Sequence, residues 1–193
     1  MLVDAALYTG GGEFIELIDG AKDISRITRT DIYKIYDYKT AYYTFAYPLA
    51  IGATLGGAST LEADKLFRYG VHLGRAFQIK DDILGMFGNE RTIGKSTLTD
   101  LQEAKKTILI WYAYNHSGAK NRSVIQKIFS KETADKHDLL RMQEIISASG
   151  SLEYAKKEVK RAIEGAEQNL NASGMNKTYK TFLQEYSKEI LSL

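Results

Sequence analysis

The stretch that decides the fold class is ASTLEADKLFRYGVHLGRAFQIKDDILGMF, residues 58–87. Its large apolar residues recur every three or four positions, which is the period of an amphipathic α-helix. The predicted stripe comprises Leu61, Leu66, Tyr69, Leu73, Phe77 and Leu84. A side-chain oxygen of Ser59 or Thr60 can cap the start of this helix, and the region of Gly85 and Gly88 predicts its end.

The rest of the chain carries the same helical period. Further helices are predicted at about 2–20, 30–57, 98–117, 119–129, 132–147, 151–171 and 175–191. Proline occurs once, and no two-residue turn joins a pair of alternating strand patterns. Because no repeat, low-complexity tract or linker interrupts the pattern, residues 1–193 are predicted to form a single all-α domain.

The composition narrows the classes of function. The chain has 193 residues, 44% of them hydrophobic, which is enough for a globular core. A net charge of +2 argues against a nucleic-acid partner, and the absence of cysteine excludes disulfides and thiolate metal sites. The apolar stretch at 45–58 is too short and broken to span a bilayer, and the first residues lack the basic region of a signal peptide. We therefore expect a cytoplasmic protein without a membrane span.

Two adjacent acids, Asp81 and Asp82, lie in an apolar run of the long predicted helix. Paired acids are ordinarily solvated surface, but the helix dipole disfavours negative charge near a helix C-terminus. A divalent cation would compensate, and Mg²⁺ prefers one or two carboxylates together with phosphate oxygens. Gln78 lies three residues before Asp81 and therefore shares its face of the helix. The pattern predicts a magnesium site here.

The segment GNERTIGKS, residues 88–96, is not a phosphate-binding P-loop. Five residues separate Gly88 from Gly94 where that motif has four, and the preceding element is predicted to be a helix rather than a strand. Lys95 is instead predicted to lie on a loop that places its ammonium near the acids. The alternative is an ordinary solvated lysine.

Two other segments offer polar groups to a ligand. Lys39 and Thr40 lie in YDYKTAYYTFAYPLAIGA, residues 36–53, an aromatic helix that is mostly core by its pattern. Lys105 and Lys106 follow Asp100 on a predicted helix, where surface ion pairing and ligand binding remain equally open interpretations.

Taken together, four segments resemble the trans-isoprenyl diphosphate synthases, the polyprenyl synthetase family. They are YKTAYYTFAYPLAIGA (38–53), LGRAFQIKDDILGMFGNERTIGKSTLTDLQEAKKT (73–107), SASGSLEYAKKEVKRAIEGAEQNL (147–170) and, more weakly, GGGEFIELID (10–19). The first resembles that family's Lys-Thr helix, and the second resembles its second aspartate-rich region with the Gly-Lys and Asp…Lys-Thr that follow. The segments occur in the family's order over nearly the whole chain.

The resemblance implies an all-α, isoprenoid-synthase-like helical bundle around a central cavity. It also implies Mg²⁺-dependent condensation of an allylic diphosphate with isopentenyl diphosphate, by ionisation, attack of the double bond and loss of a proton. By position, Asp81 would be a magnesium ligand and Asp82 its helper, and Lys39 and Asp81 would be the catalytic pair. The residues implied to contact the diphosphate are Lys39, Thr40, Gln78, Lys95 and Lys105.

Three departures from the family pattern matter. The third acid of the second motif is replaced by Gly85, and the Gly-Gln position reads Gly12-Glu13. No DDxxD, the family's first aspartate-rich motif, occurs in the sequence, so the chain resembles a C-terminal portion and the bundle is expected to be incomplete. Two hypotheses follow: a prenyltransferase portion supplied as a truncated or split chain, or a non-catalytic regulatory or scaffold subunit that binds an active partner. The resemblance also implies a homo-oligomer or a complementing N-terminal fragment or subunit. Product chain length is not readable from the sequence.

Overall fold

A computed structural model of the chain describes residues 1–89, 94 and 96–191. Over these residues the fold is all-α, as predicted, and contains no β-strand. The helices are α1 Leu2–Ala21, α2 Arg29–Ile35, α3 Tyr47–Leu55, α4 Thr60–Phe87, α5 Thr99–Gln102, α6 Ile108–Asn115, α7 Ala119–Phe129, α8 Lys136–Ala148, α9 Ser151–Ala172 and α10 Lys177–Leu191. A 3₁₀ turn at Ile24–Arg26 and a π-helical segment at Tyr36–Ala46 complete the described elements. No described helix is both long and apolar enough to cross a bilayer.

The described chain divides into two compact units. The first takes in the described parts of Met1–Phe14, Tyr33–Lys80 and Glu158–Leu193, and the second those of Ile15–Ile32 and Asp81–Lys157. That residues 1–193 form a single domain stays a prediction.

The long helix α4 begins where the sequence predicts. The Glu62 N–H donates to Ser59 Oγ over 3.3 Å, so Ser59 is the cap. The predicted apolar stripe is only partly buried, because Leu61 is exposed and Phe77 lies at the surface. The residues of α4 that are buried are Ala63, Leu66, Tyr69, Gly70, Leu73, Gly74, Ala76, Ile79, Asp82, Ile83, Gly85 and Met86. The buried face of α4 therefore agrees with the predicted stripe in the middle of the helix but includes other residues at its two ends.

The single helix predicted over 30–57 is instead three successive elements, with the π-helical segment in the middle. The Tyr47 N–H bonds to the Tyr42 carbonyl five residues back, which is the π rather than the α pattern. Inside the first unit, this segment buries two large aromatic side chains, Tyr36 and Phe45, and two alanines, Ala41 and Ala46. The sequence prediction missed the change of helix type.

Two glycines of α4 bring its backbone against the π-helical segment. A Cβ on Gly70 would lie 2.5 Å from Ala46 Cα, and a Cβ on Gly74 would overlap Ala41 Cα. The glycines are four residues apart, one α-turn, whereas the alanines are five apart, which suits the wider π-turn. The change of helix type therefore aligns two backbone contacts that an α–α pair would not align.

In the second unit, the helix predicted over 98–117 is wrong. Helix α5 ends at Gln102 and α6 begins at Ile108. Ala104 takes a left-handed φ of 53°, which breaks the helix, and the Thr107 side chain caps the new one by accepting from the Ile110 N–H. Lys105 therefore lies on a non-helical connection and not on a helix.

Candidate functional site

In the first unit, the structure brings two of the predicted ligand-binding residues into direct contact. Thr40 Oγ1 donates to Gln78 Oε1 over 2.6 Å. This pairing follows from the backbone contact between α4 and the π-helical segment, because Gln78 is one turn beyond Gly74 and Thr40 is adjacent to Ala41. Thr40 is buried, so its hydroxyl is held in one orientation.

Lys39, the neighbour of Thr40, is held by helix α1. Its Nζ lies 3.2 Å from Glu13 Oε2, and a Cβ on Gly12 would lie only 2.6 Å from the Lys39 backbone nitrogen. Gly12 and Glu13, which depart from the family pattern, thus hold Lys39: Gly12 packs against its backbone and Glu13 pairs with its ammonium group. An anionic ligand of Lys39 has to compete with the Glu13 carboxylate.

A third side-chain contact in the first unit, about one helical turn from Thr40 and Gln78, was not predicted from the sequence. Arg75 donates to both carboxylate oxygens of Asp37, over 2.6 and 2.7 Å, and its guanidinium lies 5.3 Å from the Tyr33 ring centroid. The hydrogen bond to Asp37 raises the pKa of Arg75, although burial partly opposes it. A signal was available, because Asp37 precedes Thr40 by three residues just as Arg75 precedes Gln78.

The first unit also contains an apolar cleft of about 730 Å³. It is lined by Pro48, Leu49, Gly52, Ala53, Gly56, Ala58, Glu62, Leu66, Gly174, Met175, Tyr179, Phe182 and Leu183. Small residues of α3 form one side and aromatic rings of α10 another. Such a lining suits a hydrocarbon and offers few polar partners.

The two adjacent acids belong to the second unit and differ in exposure. Asp82 is buried, with 4% of its surface exposed, whereas Asp81 is half-buried. Adjacent residues on an α-helix point about 100° apart, so the two carboxylates leave α4 in different directions. Asp81 is therefore the more accessible of the two predicted magnesium ligands.

The position of the missing third acid is occupied from another segment. A Cβ on Gly85 would overlap Asp100 Oδ2, and Asp100 is buried, with 5% of its surface exposed. Gly85 lies four residues after Asp81 and hence on the same face of α4. The Asp100 carboxylate thus fills the space that a side chain at position 85 would need. Sequence reasoning missed this, because no local spacing connects residues 85 and 100.

Lys105 neutralises part of this acidic group. Its Nζ lies 2.9 Å from Asp100 Oδ1 and 2.8 Å from Glu103 Oε2. Burial lowers the pKa of Lys105, but the hydrogen bonds to Glu103 and Asp100 outweigh burial and the net pKa is raised. Lys105 therefore carries its proton at neutral pH. The other predicted lysine, Lys95, lies outside the described residues.

Lys106 has a different environment from Lys105. Its Nζ donates to the carbonyls of Gly20 and Ala104 over 3.0 and 2.9 Å and lies 3.8 Å from the Phe129 ring centroid. Burial lowers its pKa to about 8. This lysine ties segments of the second unit together and is not a surface residue.

Asp81 and Asp100 offer carboxylate oxygens, the hard ligands that suit a magnesium ion, which completes its shell with water or phosphate oxygens. That they hold the ion stays a prediction. Within the part of the chain that the structure describes, the three side chains with metal-ligand spacing are Asp135, His137 and Asp138. There, however, Asp135 and Asp138 form the capping box of α8, and Lys131 Nζ lies 2.6 Å from Asp138 Oδ1. This cluster is accounted for by helix capping.

Comparison with known proteins places these residues in a family. A family profile described as "Polyprenyl synthetase" matches residues 1–146. Among curated relatives, the geranylgeranyl diphosphate synthase of Saccharolobus solfataricus is 35% identical over 129 residues, which are 67% of this chain and 38% of the relative. A (2E,6E)-farnesyl diphosphate synthase of Mycobacterium bovis is 32% identical over 170 residues, 83% of this chain and 47% of the relative.

Solved structures show the same fold. The polyprenyl synthase of Caulobacter crescentus, complexed with calcium and isoprenyl diphosphate, matches with a TM-score of 0.90 and 26% identity, over 100% of this chain and 57% of its own. The geranylgeranyl pyrophosphate synthase of Corynebacterium glutamicum, complexed with isoprenyl diphosphate and magnesium, matches with a TM-score of 0.89 and 25% identity, over 99% of this chain and 54% of its own.

The chain spans less than half the length of the two curated relatives above and little more than half that of the two solved structures. Within that span the match is continuous, and it includes the π-helical segment, α4 and the connection that carries Asp100 and Lys105. The fold, the order of the motifs and the profile match agree. The chain belongs to the polyprenyl synthetase family.

Proposed function

We propose that this chain is the catalytic portion of a trans-prenyltransferase that condenses an allylic diphosphate with isopentenyl diphosphate to a longer isoprenoid diphosphate. The observation that carries the proposal is the family match over residues 1–146, within which every predicted site residue falls. Relatives named as geranylgeranyl and farnesyl diphosphate synthases support the same reaction class.

Each predicted residue has a proposed role. Lys39, Thr40 and Gln78 contact the allylic diphosphate, with Thr40 and Gln78 fixed by their mutual hydrogen bond. Lys95 and Lys105 offset negative charge on the same group. An ammonium and a hydroxyl held in fixed orientations stabilise developing charge better than solvated groups do, because they need no reorganisation during the reaction.

Asp81 is proposed to hold Mg²⁺, with Asp82 and Asp100 supporting that site. A bound Mg²⁺ would supply Lewis-acid stabilisation of the departing pyrophosphate. The protein's own contribution is to hold hard oxygen ligands on one face of α4, where Lys105 limits the repulsion between them. The apolar cleft of the first unit supports the proposal, because a hydrocarbon chain needs a surface from which water is excluded.

The proposed enzyme is incomplete without further residues. In the family this sequence resembles, a second aspartate-rich motif faces the first, and no DDxxD is present here. Each electrostatic contact of this kind contributes about 10²–10³ in rate, so the loss of several should abolish turnover. We therefore propose that the chain acts with a DDxxD-bearing N-terminal fragment or subunit, and that it does so in the cytoplasm.

Incorporation of labelled isopentenyl diphosphate tests the function. The purified 193-residue chain alone should give none, and the chain mixed with a DDxxD-bearing fragment should give product. Activity of the chain alone would refute the requirement for a partner. Activity in neither mixture would favour the non-catalytic, scaffold alternative.

Calorimetry tests the site independently of turnover. Titration with pyrophosphate should show binding with Mg²⁺ and at least ten-fold weaker binding without it, because two acids alone form a weak Mg²⁺ site. Asp81→Asn should remove the magnesium dependence. Asp64→Asn is the matched control, since Asp64 lies on the same helix in a surface pair with Arg68. Unchanged binding by Asp81→Asn would show that the metal assignment is wrong.

A further inference from the structure

The ion pair between Arg75 of α4 and Asp37 of the π-helical segment is held more firmly than an ordinary surface pair. Both carboxylate oxygens of Asp37 accept from the guanidinium, and the side chains of Arg75 and Asp37 are 29% and 13% exposed. By contrast, Arg68 pairs with Asp64 of its own helix, and these side chains are 65% and 47% exposed. A two-pronged pair that is largely shielded from water fixes the direction of both side chains, whereas an exposed pair contributes little. The Arg75–Asp37 pair therefore joins two helical segments in a defined geometry.

Further contacts within the first unit hold Arg75 in place. Its guanidinium lies 5.3 Å from the Tyr33 ring centroid, and the Tyr33 hydroxyl donates to Glu158 Oε2 over 2.5 Å. Glu158 is buried, with 3% of its surface exposed, and it also accepts from the Arg161 guanidinium. The orientation of Arg75 therefore depends on α2 and α9 as well as on the π-helical segment.

The ion pair matches the register of the hydrogen-bonded pair Thr40 and Gln78. Asp37 precedes Thr40 by three residues and Arg75 precedes Gln78 by three, so the same two segments are joined twice at matching positions. The backbone contact between these segments sets how closely they approach. Two side-chain contacts at separate positions along the segments set how one is rotated relative to the other. The direction of the Thr40 hydroxyl is therefore tied to the geometry at Arg75.

We propose that Arg75 and Asp37 are positioning residues for the diphosphate, because their ion pair holds the π-helical segment and α4 in the register that directs Thr40 and Gln78 toward the ligand. The inference rests on the proposed function, which assigns the diphosphate to those two residues. Arg75 acts through Asp37, since its Nε and Nη2 both donate to that carboxylate. A displacement of about 1 Å in a binding group costs on the order of 10²-fold in rate, so a defect at the ion pair should weaken a site that it does not touch.

The test is calorimetric titration of the 193-residue chain with pyrophosphate in the presence of Mg²⁺. Arg75→Met keeps the length of the side chain but removes the ion pair, and it should weaken pyrophosphate binding about ten-fold or more. Arg68→Met is the matched control, because it removes the same charge from the same helix at an exposed ion pair. The control should bind within about two-fold of the wild type, since exposed pairs contribute little. Equal weakening by the two variants would assign the effect to net charge and overturn the proposal.

A second titration shows whether Arg75 acts through the hydrogen-bonded pair. In the double variant Thr40→Val/Gln78→Leu the positioned groups are already removed, so adding Arg75→Met should weaken binding by no more than about two-fold. Asp37→Asn, which removes the carboxylate of the ion pair, should weaken binding in the wild-type background and likewise have little further effect in the double variant. Losses of affinity that add to those of the double variant would show that the ion pair acts by another route, and the positioning role would be wrong.

Thermal unfolding of each variant separates positioning from loss of the fold. A purely structural ion pair would lower the melting temperature of Arg75→Met but leave the affinity of the folded chain unchanged, which would contradict the proposal. If Arg75→Met does not fold, Arg75→Lys takes its place: lysine keeps the charge but lacks the paired donors, so binding should weaken about three-fold or more, and wild-type affinity would count against the proposal. A wild-type chain that binds no pyrophosphate with Mg²⁺ contradicts the proposed function, whereas equal binding by the wild type and Arg75→Met contradicts only the positioning role.

Discussion

The two compact units present polar groups by different means. In the first, Thr40 and Gln78 meet because two helical segments are in backbone contact and each residue follows its own helix period. In the second, Asp100 reaches the face of α4 from the short helix α5 and fills the space above Gly85. The first arrangement follows from spacing that the sequence displays, whereas the second depends on a through-space contact between residues with no common period.

The largest expected effect breaks the arrangement in the first unit. Gly74→Ala places a methyl group on the Ala41 backbone, which cannot move without separating the helices. We expect a loss of about 3 kcal/mol in the free energy of unfolding, measured by urea denaturation. Gly52→Ala, at a helical glycine with nothing within 4 Å of its Cβ, should instead gain about 1 kcal/mol. Equal effects would mean that the backbone contact is not as close as described.

A second change attacks the arrangement around Asp100. Gly85→Asp recreates the family's three-acid spacing, but its side chain has no room beside the Asp100 carboxylate. We expect a loss of about 2 kcal/mol from overpacking and like-charge repulsion, without tighter Mg²⁺ binding by calorimetry.

The double variant Gly85→Asp/Asp100→Gly should recover most of the stability lost by Gly85→Asp, because it exchanges the two positions. Gly118→Asp is the control: it lies at the N-cap of α7 with open space around it, where aspartate is favourable. If Gly85→Asp is as stable as wild type, Asp100 does not occupy that space.

A smaller effect is expected at the buried hydrogen bond of the first unit. Thr40→Val keeps the shape of the side chain but removes the donor to Gln78 Oε1, and should cost about 1–2 kcal/mol of unfolding free energy. Thr44→Val, at an exposed threonine of the same segment, should cost little. In the double variant Thr40→Val/Gln78→Leu the losses should be less than additive; additive losses would argue against the bond.

The smallest effect concerns pH and sharpens the description of the second unit. The pKa of Lys106 is lowered by burial to about 8 from a model-compound value of 10.5, so between these values the unfolded chain holds more protons than the folded one. Stability should therefore rise across that range, by on the order of 1 kcal/mol. Lys106→Met should lose this rise, and Lys156→Met, at an exposed lysine of α9, should keep it. An unchanged pH profile in Lys106→Met would assign the rise to another group.

Helical period was sufficient to predict the fold class and most helix limits. Ser59 or Thr60 was predicted as the cap of α4 because the signal is local, and Ser59 is the cap. That Thr40 and Gln78 contact a ligand rests on the family resemblance and stays a prediction. The break at Ala104 was not predicted, because alanine favours helix and only the tertiary structure imposes its left-handed conformation. The contact of Glu13 with Lys39 was missed because the two residues are distant in sequence. The Asp37–Arg75 pair was missed although its three-residue spacing from Thr40 and Gln78 offered a signal.

The acid at Asp100 marks the limit of motif-based prediction. A motif records which residues follow one another, so the substitution at position 85 appears as a lost carboxylate. The structure shows that the carboxylate of Asp100 lies in the space that a side chain at position 85 would need. The spacing of residues within a motif does not reveal a side chain that enters the same space from another segment.

The π-helical segment has a consequence for the length of the chain. At the α-helical period, Ala41 and Ala46 would lie about 140° apart around the axis and could not both meet α4. Deleting one residue between them would restore a spacing of four and ordinary α hydrogen bonds, with both alanines still facing Gly70 and Gly74. A uniform α-helix has no such spare residue, since any deletion rotates half of its side chains away from their partners. This segment is therefore where the chain tolerates loss of a residue best, and where an alignment with shorter relatives should place its gap.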